Sequence, residues 1–280
     1  MKNKYNIALI IIVVIILILG IYFFLSYSNS TLKDLSKNIQ SRESKINSFN
    51  FTLRSLQNNN SNSYIFSQNL EITGAEKYSN SNIAESGVYF VPIGKTALSN
   101  ASNVKLNFTK INKEYFAKVF NSNVWYKYEN KYPIIHFSYL NKSPFLNINP
   151  NNIKYLGNTE LNGKNVKEYS ANISNSNIKN TNFYNLYAKG IINKDEAIIK
   201  LTSSAINKPT ISNLTEHIYL SNNNTIYKEV YNYNIFIQTN TQVTLTIDFS
   251  KINESLKINA PNTYKIFTET PKTAPFAFPF

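Results

Sequence analysis

The stretch YLGNTELNGKNVKEYSANI, residues 155–173, consists of two strand-like runs joined by Asn162 and Gly163. An Asn-Gly pair between alternating runs predicts a two-residue β-hairpin turn, because both central positions of that turn need positive φ. Along the second run a period of two separates Lys167, Tyr169, Ala171 and Ile173 on one face from Val166, Glu168 and Ser170 on the other. Nothing in the hairpin has catalytic character, so it is predicted to be a scaffold element.

Similar runs fill most of the chain beyond residue 48, and turns of Asn, Ser, Gly and Pro separate them. They include SFNFTLRS, SYIF, GVYFV, NVKLNFTKI, EYFAKVF, NVWYKY, IIHFSYL, NIKYLGN, NVKEYSANI, NFYNLYAKGII, EAIIKLTS, EHIYL, TIYKEVYNYNIFIQ and QVTLTIDF. Adjacent strands with few helices between them favour an antiparallel sheet. One amphipathic helix is predicted over 31–47, where apolar residues fall at helical spacing, and a short helix over 142–154 is the second candidate.

The N-terminal residues 7–25 (IALIIIVVIILILGIYFFL) contain no charged side chain. A helix of this length is about 28 Å long, close to the ~30 Å hydrocarbon core of a bilayer. A cleaved signal peptide is the alternative, since Ser28 and Ser30 are small residues suited to a cleavage site. Because the apolar run is longer than the usual signal-peptide core and rich in isoleucine, it favours an uncleaved transmembrane anchor.

The basic residues around this run predict its orientation. Lys2 and Lys4 precede it, and the next basic residue is Lys33. The excess of positive charge at the start places the N-terminus in the cytoplasm and the rest of the chain outside the cytoplasm. The predicted organisation is a cytoplasmic N-terminus (1–6), a transmembrane anchor (7–25), a juxtamembrane segment with an amphipathic helix (26–47), an exported β-rich domain (48–266) and a Pro/Phe-rich tail (267–280).

Composition excludes several classes of function. The 280-residue chain has no cysteine, which excludes disulfides, thiol catalysis and thiolate metal sites. Its net charge of +13 suits a basic domain held near anionic headgroups or acidic polymers, although such charge is more often a means of solubility. The lysines are scattered rather than clustered, so nucleic acid is not an expected partner.

The side chains that carry most enzyme chemistry are sparse. The two histidines, His136 and His217, lie in strand-like runs and have no partner at metal-ligand spacing. The nearest carboxylate pairs are Asp195 with Glu196, in a predicted turn, and Asp248 with Glu254. No glycine-rich phosphate loop and no G-x-S-x-G elbow occurs. We therefore expect no enzyme activity, no catalytic residue, no metal and no cofactor, with a carboxylate-based hydrolase as the remote exception.

Asn-x-Ser/Thr sequons are candidate glycosylation sites in an exported domain, if its host has the machinery. Those in the predicted domain are at Asn50, Asn100, Asn107, Asn141, Asn172, Asn213, Asn223 and Asn253.

The order of elements resembles the LolA/LppX-type superfamily of exported carrier domains, over residues of about 30–262. The hairpin is similar to the pattern G-x-E-x-[VL]-x-G-K-x-[VA]-x-x-Y, through Gly157, Leu161, Gly163, Lys164, Val166 and Tyr169, with Thr159 in place of the glutamate. The C-terminal pattern N-x-x-[VL]-x-I-x-x-P is matched by Asn253, Leu256, Ile258 and Pro261. Two features depart from the family: the lipidated cysteine of its lipoprotein members is absent, and the stretch 174–230 is longer and richer in asparagine.

The resemblance implies a strongly curved antiparallel sheet, a half-barrel, whose concave side holds lipid or acyl chains beneath covering helices. The anchor would then do the work of the missing lipid. Candidate residues for the ligand cavity are Phe49, Phe51, Leu53, Tyr115, Val119, Trp125, Ile135, Phe137 and Tyr169, although for any one of them ordinary core is the more common role.

The function expected from the sequence is a single-pass membrane protein whose extracytoplasmic domain binds a lipid or other apolar ligand. The alternative is a structural or adhesive cell-surface protein, envelope- or filament-associated, with no small-molecule ligand. Its amide- and hydroxyl-rich surface would face envelope glycans or a protein partner. Three prolines and four phenylalanines in FTETPKTAPFAFPF, residues 267–280, argue against helix or central strand in the tail, which either frays or docks on the domain or a neighbour.

Overall fold

The computed structural model describes residues 17–18, 34–35, 37–39, 41–42, 44–57, 71–79, 82–91, 104–112, 114–119, 121–128, 152–181, 183–184, 210–236 and 240–267. Twelve strands lie in these ranges: β1 (Ser48–Gln57), β2 (Glu71–Ser79), β3 (Asn82–Val91), β4 (Val104–Ile111), β5 (Glu114–Val119), β6 (Tyr126–Tyr128), β7 (Ile153–Leu161), β8 (Lys164–Ile173), β9 (Thr210–Leu220), β10 (Ile226–Phe236), β11 (Asn240–Ser250) and β12 (Lys265–Phe267). A 3-10 helix spans Ile178–Asn180.

All twelve strands belong to one open, curved sheet, in the order β12-β6-β5-β4-β3-β2-β1-β11-β10-β9-β8-β7. Every neighbouring pair is antiparallel except β12 with β6, which is parallel. The strands β1 to β6 form one meander and β7 to β11 a second. Among the described strands, the two meanders pair only between β1 and β11, a boundary that we call the seam. The prediction of a mainly β, antiparallel fold is confirmed.

Alternation along the strands sets which side of the sheet is buried. In β11 the residues Thr241, Val243, Leu245, Ile247 and Phe249 are buried, while those between them are half-buried or exposed. The same period of two in β1, β9 and β10 makes one continuous apolar surface, because residues directly opposite on neighbouring strands share a face. We call this buried side the inner face and the opposite side the outer face.

The hairpin predicted at Asn162 and Gly163 is confirmed. These two residues join β7 to β8 with φ angles of 52° and 75°, which are the positive values that the two-residue turn requires. One irregularity interrupts the ladder between Tyr155 and Gly157, where Leu156 has no direct partner on β8. Gly157 takes a φ of 128° there, a conformation that side-chain-bearing residues rarely adopt.

Helical structure supports the sheet from the inner side. Residues 34–35, 37–39 and 41–42 are helical, which confirms the helix predicted over 31–47 at these positions. Its predicted end is wrong, because residues 44–45 form a turn and 46–47 are irregular. Its apolar stripe enters the core through Leu35 (7% exposed) and Ile39 (0%). The second predicted helix, 142–154, is described only at its end, where Ile153 already begins β7.

The predicted anchor, residues 7–25, lies outside the described residues except for Leu17 and Ile18, which are helical and exposed. Within the described ranges, no helix is both long enough and apolar enough to cross a membrane.

One strand prediction is wrong where it can be compared. The run NFYNLYAKGII, residues 182–192, is predicted as a strand, yet Phe183 and Tyr184 are helical. The centroid of the Phe183 ring lies 4.9 Å from that of Tyr231 and 4.8 Å from that of Tyr233, so Phe183 packs on the inner face. An apolar run shows that a segment is buried, and only tertiary contacts decide between strand and helix here.

Two glycines allow aromatic rings to lie close to the backbone of the inner face. Gly74 of β2 lies directly opposite Gly87 of β3. A Cβ atom at Gly74 would lie 2.8 Å from Cζ of Phe51, and one at Gly87 would lie 3.0 Å from Cε1 of Phe108. Both rings therefore occupy the space that a larger residue on β2 or β3 would need.

Residues 251–264, which we call the strap, cross the outer face from β11 to β6. The Asn253 N–H donates to the Ser48 carbonyl oxygen (2.8 Å), and the Lys77 ammonium donates to the Leu256 carbonyl oxygen (3.3 Å). The Tyr264 ring then packs on Phe116 of β5, with ring centroids 5.1 Å apart, before β12 begins. The strap thus contacts strands of the first meander, although it follows directly from the second.

Candidate functional site

The inner face is the candidate site, because it brings together most of the large apolar side chains that the structure describes. One hydrophobic cluster extends over β1, β2, β4 and β7 to β11, and it includes side chains from the helix at 34–42 and the segment at 178–183. Two partly buried residues outside the helical segments and the sheet, Ile46 before β1 and Ile252 of the strap, also pack against the cluster.

Three of the predicted cavity residues lie at the centre of the inner face. Phe49, Phe51 and Leu53 of β1 are exposed by only 2%, 1% and 0%. The Phe49 ring lies 6.2 Å from that of Phe51 and 5.6 Å from that of Phe249, in edge-to-face geometry. In this structure these side chains are core residues in contact with one another.

Other predicted cavity residues lie toward the two ends of the sheet. Tyr115 of β5 and Tyr169 of β8 are half-buried, and Trp125, just before β6, is half-buried as well. Val119 ends β5. The remaining two lie outside the described residues: Ile135 and Phe137. Trp125 lies beside the Lys118 ammonium (5.1 Å), which is on the face opposite to Tyr115, so the sequence identified residues of both faces. The role of the set as a ligand cavity stays a prediction.

The half-buried Tyr169 marks where the inner face opens toward the edge of the sheet. The centroid of its ring lies 5.2 Å from that of Tyr155 in β7, and Tyr155 is 51% exposed. Burial, together with the neighbouring Tyr155, raises the pKa of the Tyr169 hydroxyl above its ordinary value of 10.0. Two aromatic rings thus form the border between core and solvent at β7.

Sequence reasoning missed a set of polar side chains within the inner face. Glu76, Glu216 and Glu229 are exposed by 0%, 1% and 1%, and Lys110 is also buried. Each stands in the apolar phase of its strand: Glu216, for example, alternates in step with the buried Leu214 and Ile218. A glutamate at a strand position where the alternation predicts a buried apolar residue can be recognised from the sequence alone.

Two of these carboxylates lie near one another. Glu216 of β9 is directly opposite Tyr231 of β10, and Glu229 is two residues before Tyr231, so the glutamates are diagonal neighbours across the ladder. The Tyr231 hydroxyl donates a hydrogen bond to Oε2 of Glu229 (3.0 Å). Burying a carboxylate costs free energy unless hydrogen bonds or an opposite charge stabilise it. The inner face is therefore apolar with a polar group at β9 and β10.

Polar side chains on the outer face form hydrogen bonds that link neighbouring strands. His217 Nδ1 lies 3.0 Å from Oε1 of Glu168, and the Tyr219 hydroxyl donates to the same carboxylate oxygen (3.2 Å). Burial raises the pKa of Tyr219 to about 12, helped by the negative charge of Glu168 and by this hydrogen bond. His217 thus has a defined structural partner.

The carboxylate of Asp248, one of the acidic residues considered from the sequence, also lies in a polar row on this side. Arg54 lies 3.4 Å from it and Lys228 lies 4.0 Å from it. Glu254 is exposed, and its backbone carbonyl oxygen accepts a hydrogen bond from Ser48 Oγ (2.6 Å). Among the described residues, no group of three or more His, Cys, Asp and Glu side chains could hold a metal ion.

The candidate glycosylation sites differ in accessibility. Asn50 and Asn107 are half-buried within strands, and Asn100 and Asn141 lie outside the described residues. Four are exposed: Asn172, Asn213, Asn223 and Asn253.

Comparison with known proteins gives similarity in structure and none in sequence. No protein-family model matches the chain, and no curated protein matches it. The chain is similar to the crystal structure of LprF from Mycobacterium bovis (10% identity, TM-score 0.47, 83% of this chain and 97% of that one). It is also similar to the lipoprotein LppX from Mycobacterium tuberculosis (12% identity, TM-score 0.43, 81% and 99%).

A third similar structure is a putative outer membrane lipoprotein-sorting protein domain from Vibrio parahaemolyticus (8% identity, TM-score 0.25, 80% of this chain and 93% of that one). All three are structures of the type that the hairpin and C-terminal motifs resemble.

Proposed function

We propose that this chain is a membrane-anchored, extracytoplasmic binding protein that holds a lipid or another apolar ligand at the inner face of its sheet. The observation that carries the proposal is the one-sided burial. A continuous apolar surface spans most of the sheet, and the described elements over it are short helical segments. Such segments can separate from a sheet without breaking any of its ladder hydrogen bonds, so an apolar chain can enter between them.

The motifs of the hairpin and of the C-terminal residues support the same proposal, since the family they resemble is one of exported carriers with a half-barrel sheet. In this proposal residues 7–25 form the anchor, 26–47 the juxtamembrane segment and 48–266 the exported domain. The anchor takes the place of the lipidated cysteine that the chain lacks, and keeps the domain beside its source of ligand. The role is one of binding rather than catalysis.

The test is to purify the full chain from membranes, extract it with organic solvent and identify stoichiometric lipid by mass spectrometry. A charged residue at Phe51 would unfold the core, because that side chain is only 1% exposed. The variants Tyr115→Ala and Tyr169→Ala are better suited, because both residues are half-buried at the inner face. Losing a half-buried ring should weaken lipid retention about fivefold, the equivalent of about 1 kcal/mol.

The matched control is Tyr227→Ala, which removes a ring that lies beneath the Lys164 ammonium (4.7 Å) near the hairpin turn. Its lipid content should equal that of the unchanged protein. A full chain that is free of lipid after purification, and that takes up none from membrane lipid extracts, would contradict the proposal.

One observation favours the second candidate, a structural or adhesive surface protein. Among the described strands β7 is the outermost on one side of the sheet, and its Tyr155 and Leu156 are exposed by 51% and 52%. An exposed apolar edge strand favours pairing with another chain. Concentration-dependent self-association of the same lipid-free sample in analytical ultracentrifugation, abolished by Leu156→Lys, would support this candidate over the carrier.

A further inference from the structure

The outer face of β4, β5, β6 and β12 carries a row of lysines that the proposed ligand site does not use. Asn107 of β4 lies opposite Lys118 of β5, and Lys105 is two residues from Asn107 on the same face. Diagonal neighbours of this kind have Cβ atoms about 7 Å apart. Lys105 is exposed and Lys118 half-buried.

The row continues across the next two strands. Phe116 lies opposite Lys127 of β6, so Lys118 and Lys127 are diagonal neighbours in their turn. Lys127 lies opposite Ile266 of β12, which is 61% exposed. Tyr264, two residues before Ile266, is 45% exposed, and its ring lies 5.6 Å from the Lys127 ammonium. We call Lys105, Lys118, Lys127, Tyr264 and Ile266 the basic patch.

Charge in this part of the sheet is unbalanced. Residues 104–128 contain five lysines and one glutamate, whereas the hairpin at the other edge, residues 153–173, contains three lysines and two glutamates. The single acid, Glu114, is half exposed at the margin of the patch and forms an ion pair with Lys127. The field of the patch is therefore positive, and it acts on anionic groups within about one Debye length, ~10 Å at 0.1 M salt.

The patch also has side chains that suit a water–lipid boundary. The Lys118 ammonium lies 5.1 Å from the centre of the half-buried Trp125 ring, and Tyr264 and Ile266 present apolar surface beside Lys127. Tryptophan and tyrosine are enriched at the headgroup level of membranes, where one part of the ring is in apolar surroundings and another in water. A soluble acidic polymer would match the lysines but leave Ile266 exposed.

We propose that the basic patch docks the domain on the anionic headgroups of the membrane that holds its anchor. This inference rests on the proposed anchoring and adds an orientation to it: the edge formed by β6 and β12 faces the bilayer, and the hairpin of β7 and β8 points away. Each net positive charge near an anionic surface contributes about fivefold to the docking equilibrium, so the three lysines less the paired Glu114 contribute about 25-fold.

The absence of cysteine makes the orientation measurable on the full chain. A single cysteine at Asn123, an exposed residue beside Trp125, or at Asn165, an exposed residue of the far hairpin, accepts one donor fluorophore. Energy transfer to a headgroup-labelled lipid is then measured after reconstitution into phosphatidylcholine vesicles with or without 30% phosphatidylglycerol. We expect high transfer from position 123 only in anionic vesicles, low transfer from position 165, and loss of the difference in 0.5 M salt.

Three variants test which residues are responsible. We call the increase in energy transfer from position 123 on going from neutral to anionic vesicles the gain. The triple variant Lys105→Gln, Lys118→Gln and Lys127→Gln should abolish this gain. The matched control Lys154→Gln, Lys164→Gln and Lys167→Gln removes the same charge from the far hairpin and should preserve the gain. Glu114→Gln should increase it, because the ion pair with Lys127 is removed. Equal unfolding temperatures would show that all three variants fold.

Several outcomes would overturn the proposal. Equal transfer from position 123 in neutral and anionic vesicles would do so, as would equal losses in the two triple variants. Binding of a soluble acidic polysaccharide that only the patch variant loses, without any vesicle effect, would assign the patch to polymers instead. Lipid content is measured separately on the same protein, so failure of docking with lipid still bound leaves the carrier proposal intact, and the reverse result leaves the docking proposal intact.

Discussion

At the scale of single residues, the polar side chains of this sheet are divided between two environments. Those on the outer face interact with one another at the surface, as His217 and Tyr219 do with Glu168. Those on the inner face, such as Glu216 and Glu229, are surrounded by core residues. Polar residues on the outer face are what the alternation of the strands predicts, whereas polar residues on the inner face occupy positions where it predicts apolar ones.

Tyr219 gives a prediction that depends on pH. Its pKa is raised to about 12 in the folded protein, against 10.0 for the ordinary group. The unfolded chain therefore loses its proton first as pH rises, so the stabilising contribution is complete below pH 10 and is lost between about pH 10 and 12. We expect the difference in phenolate absorbance between the unchanged protein and Tyr219→Phe to show a midpoint near pH 12.

The variant Glu168→Gln keeps the burial but removes the negative charge, so that midpoint should move down toward 10 without reaching it. A Tyr219 midpoint at pH 10 in the unchanged protein would show that the phenol is not held in this environment.

At the scale of elements, the hairpin of β7 and β8 is the part most completely determined by local sequence. Asn162 and Gly163 both take the positive φ that the turn demands, and the register on either side follows from it. By contrast, no strand is predicted from the sequence at β2, because Gly74 and Glu76 occupy inward positions where apolar residues are expected. The run around Phe183 is wrongly predicted as a strand, because an apolar run indicates that a segment is buried but not whether it pairs with a strand.

The turn itself gives a second prediction. Gly163→Ala forces a side-chain-bearing residue into a φ of 75°, which should reduce the free energy of unfolding by about 1–2 kcal/mol in urea denaturation. Asn165→Ala, an exposed position two residues later, is the control and should change it by less than about 0.5 kcal/mol. Equal stability of Gly163→Ala and the unchanged protein would mean that the turn does not constrain the hairpin.

At the scale of the whole molecule, the sequence indicates which side chains face inward but not which strands meet. Alternation in β1 and β11 predicts buried faces for both, whereas their pairing joins residues nearly two hundred positions apart. Several other strands have the same pattern, so nothing local selects the seam. The candidate ligand site shares this limit, because Phe51, Tyr115 and Tyr169 become one surface only through the order of the strands.

The strap provides the prediction at this scale. Tyr264 covers Phe116, which is only 1% exposed although it lies on the outer face. Tyr264→Ala should therefore lower the free energy of unfolding by about 1–2 kcal/mol, through the lost ring contact and the newly exposed Phe116. Thermal unfolding followed by circular dichroism measures the change.

The companion variant Asn262→Ala, at an exposed strap position, should leave the unfolding temperature unchanged. An unaltered unfolding temperature for Tyr264→Ala would mean that the strap contributes nothing to holding the outer face.

The seam also determines when the fold can be completed. A chain synthesised from its N-terminus delivers β1 early, and β1 can pair at once with β2. Its other neighbour, β11, emerges only after about 190 further residues, as the 194-residue separation of Arg54 and Asp248 shows. During that interval one side of β1 is an unpaired edge, which is prone to join the wrong strand. Synthesis that stops before residue 240 would therefore leave a half-built sheet whose open edge can pair with other chains, so the truncated product would need a chaperone or a protease to prevent aggregation.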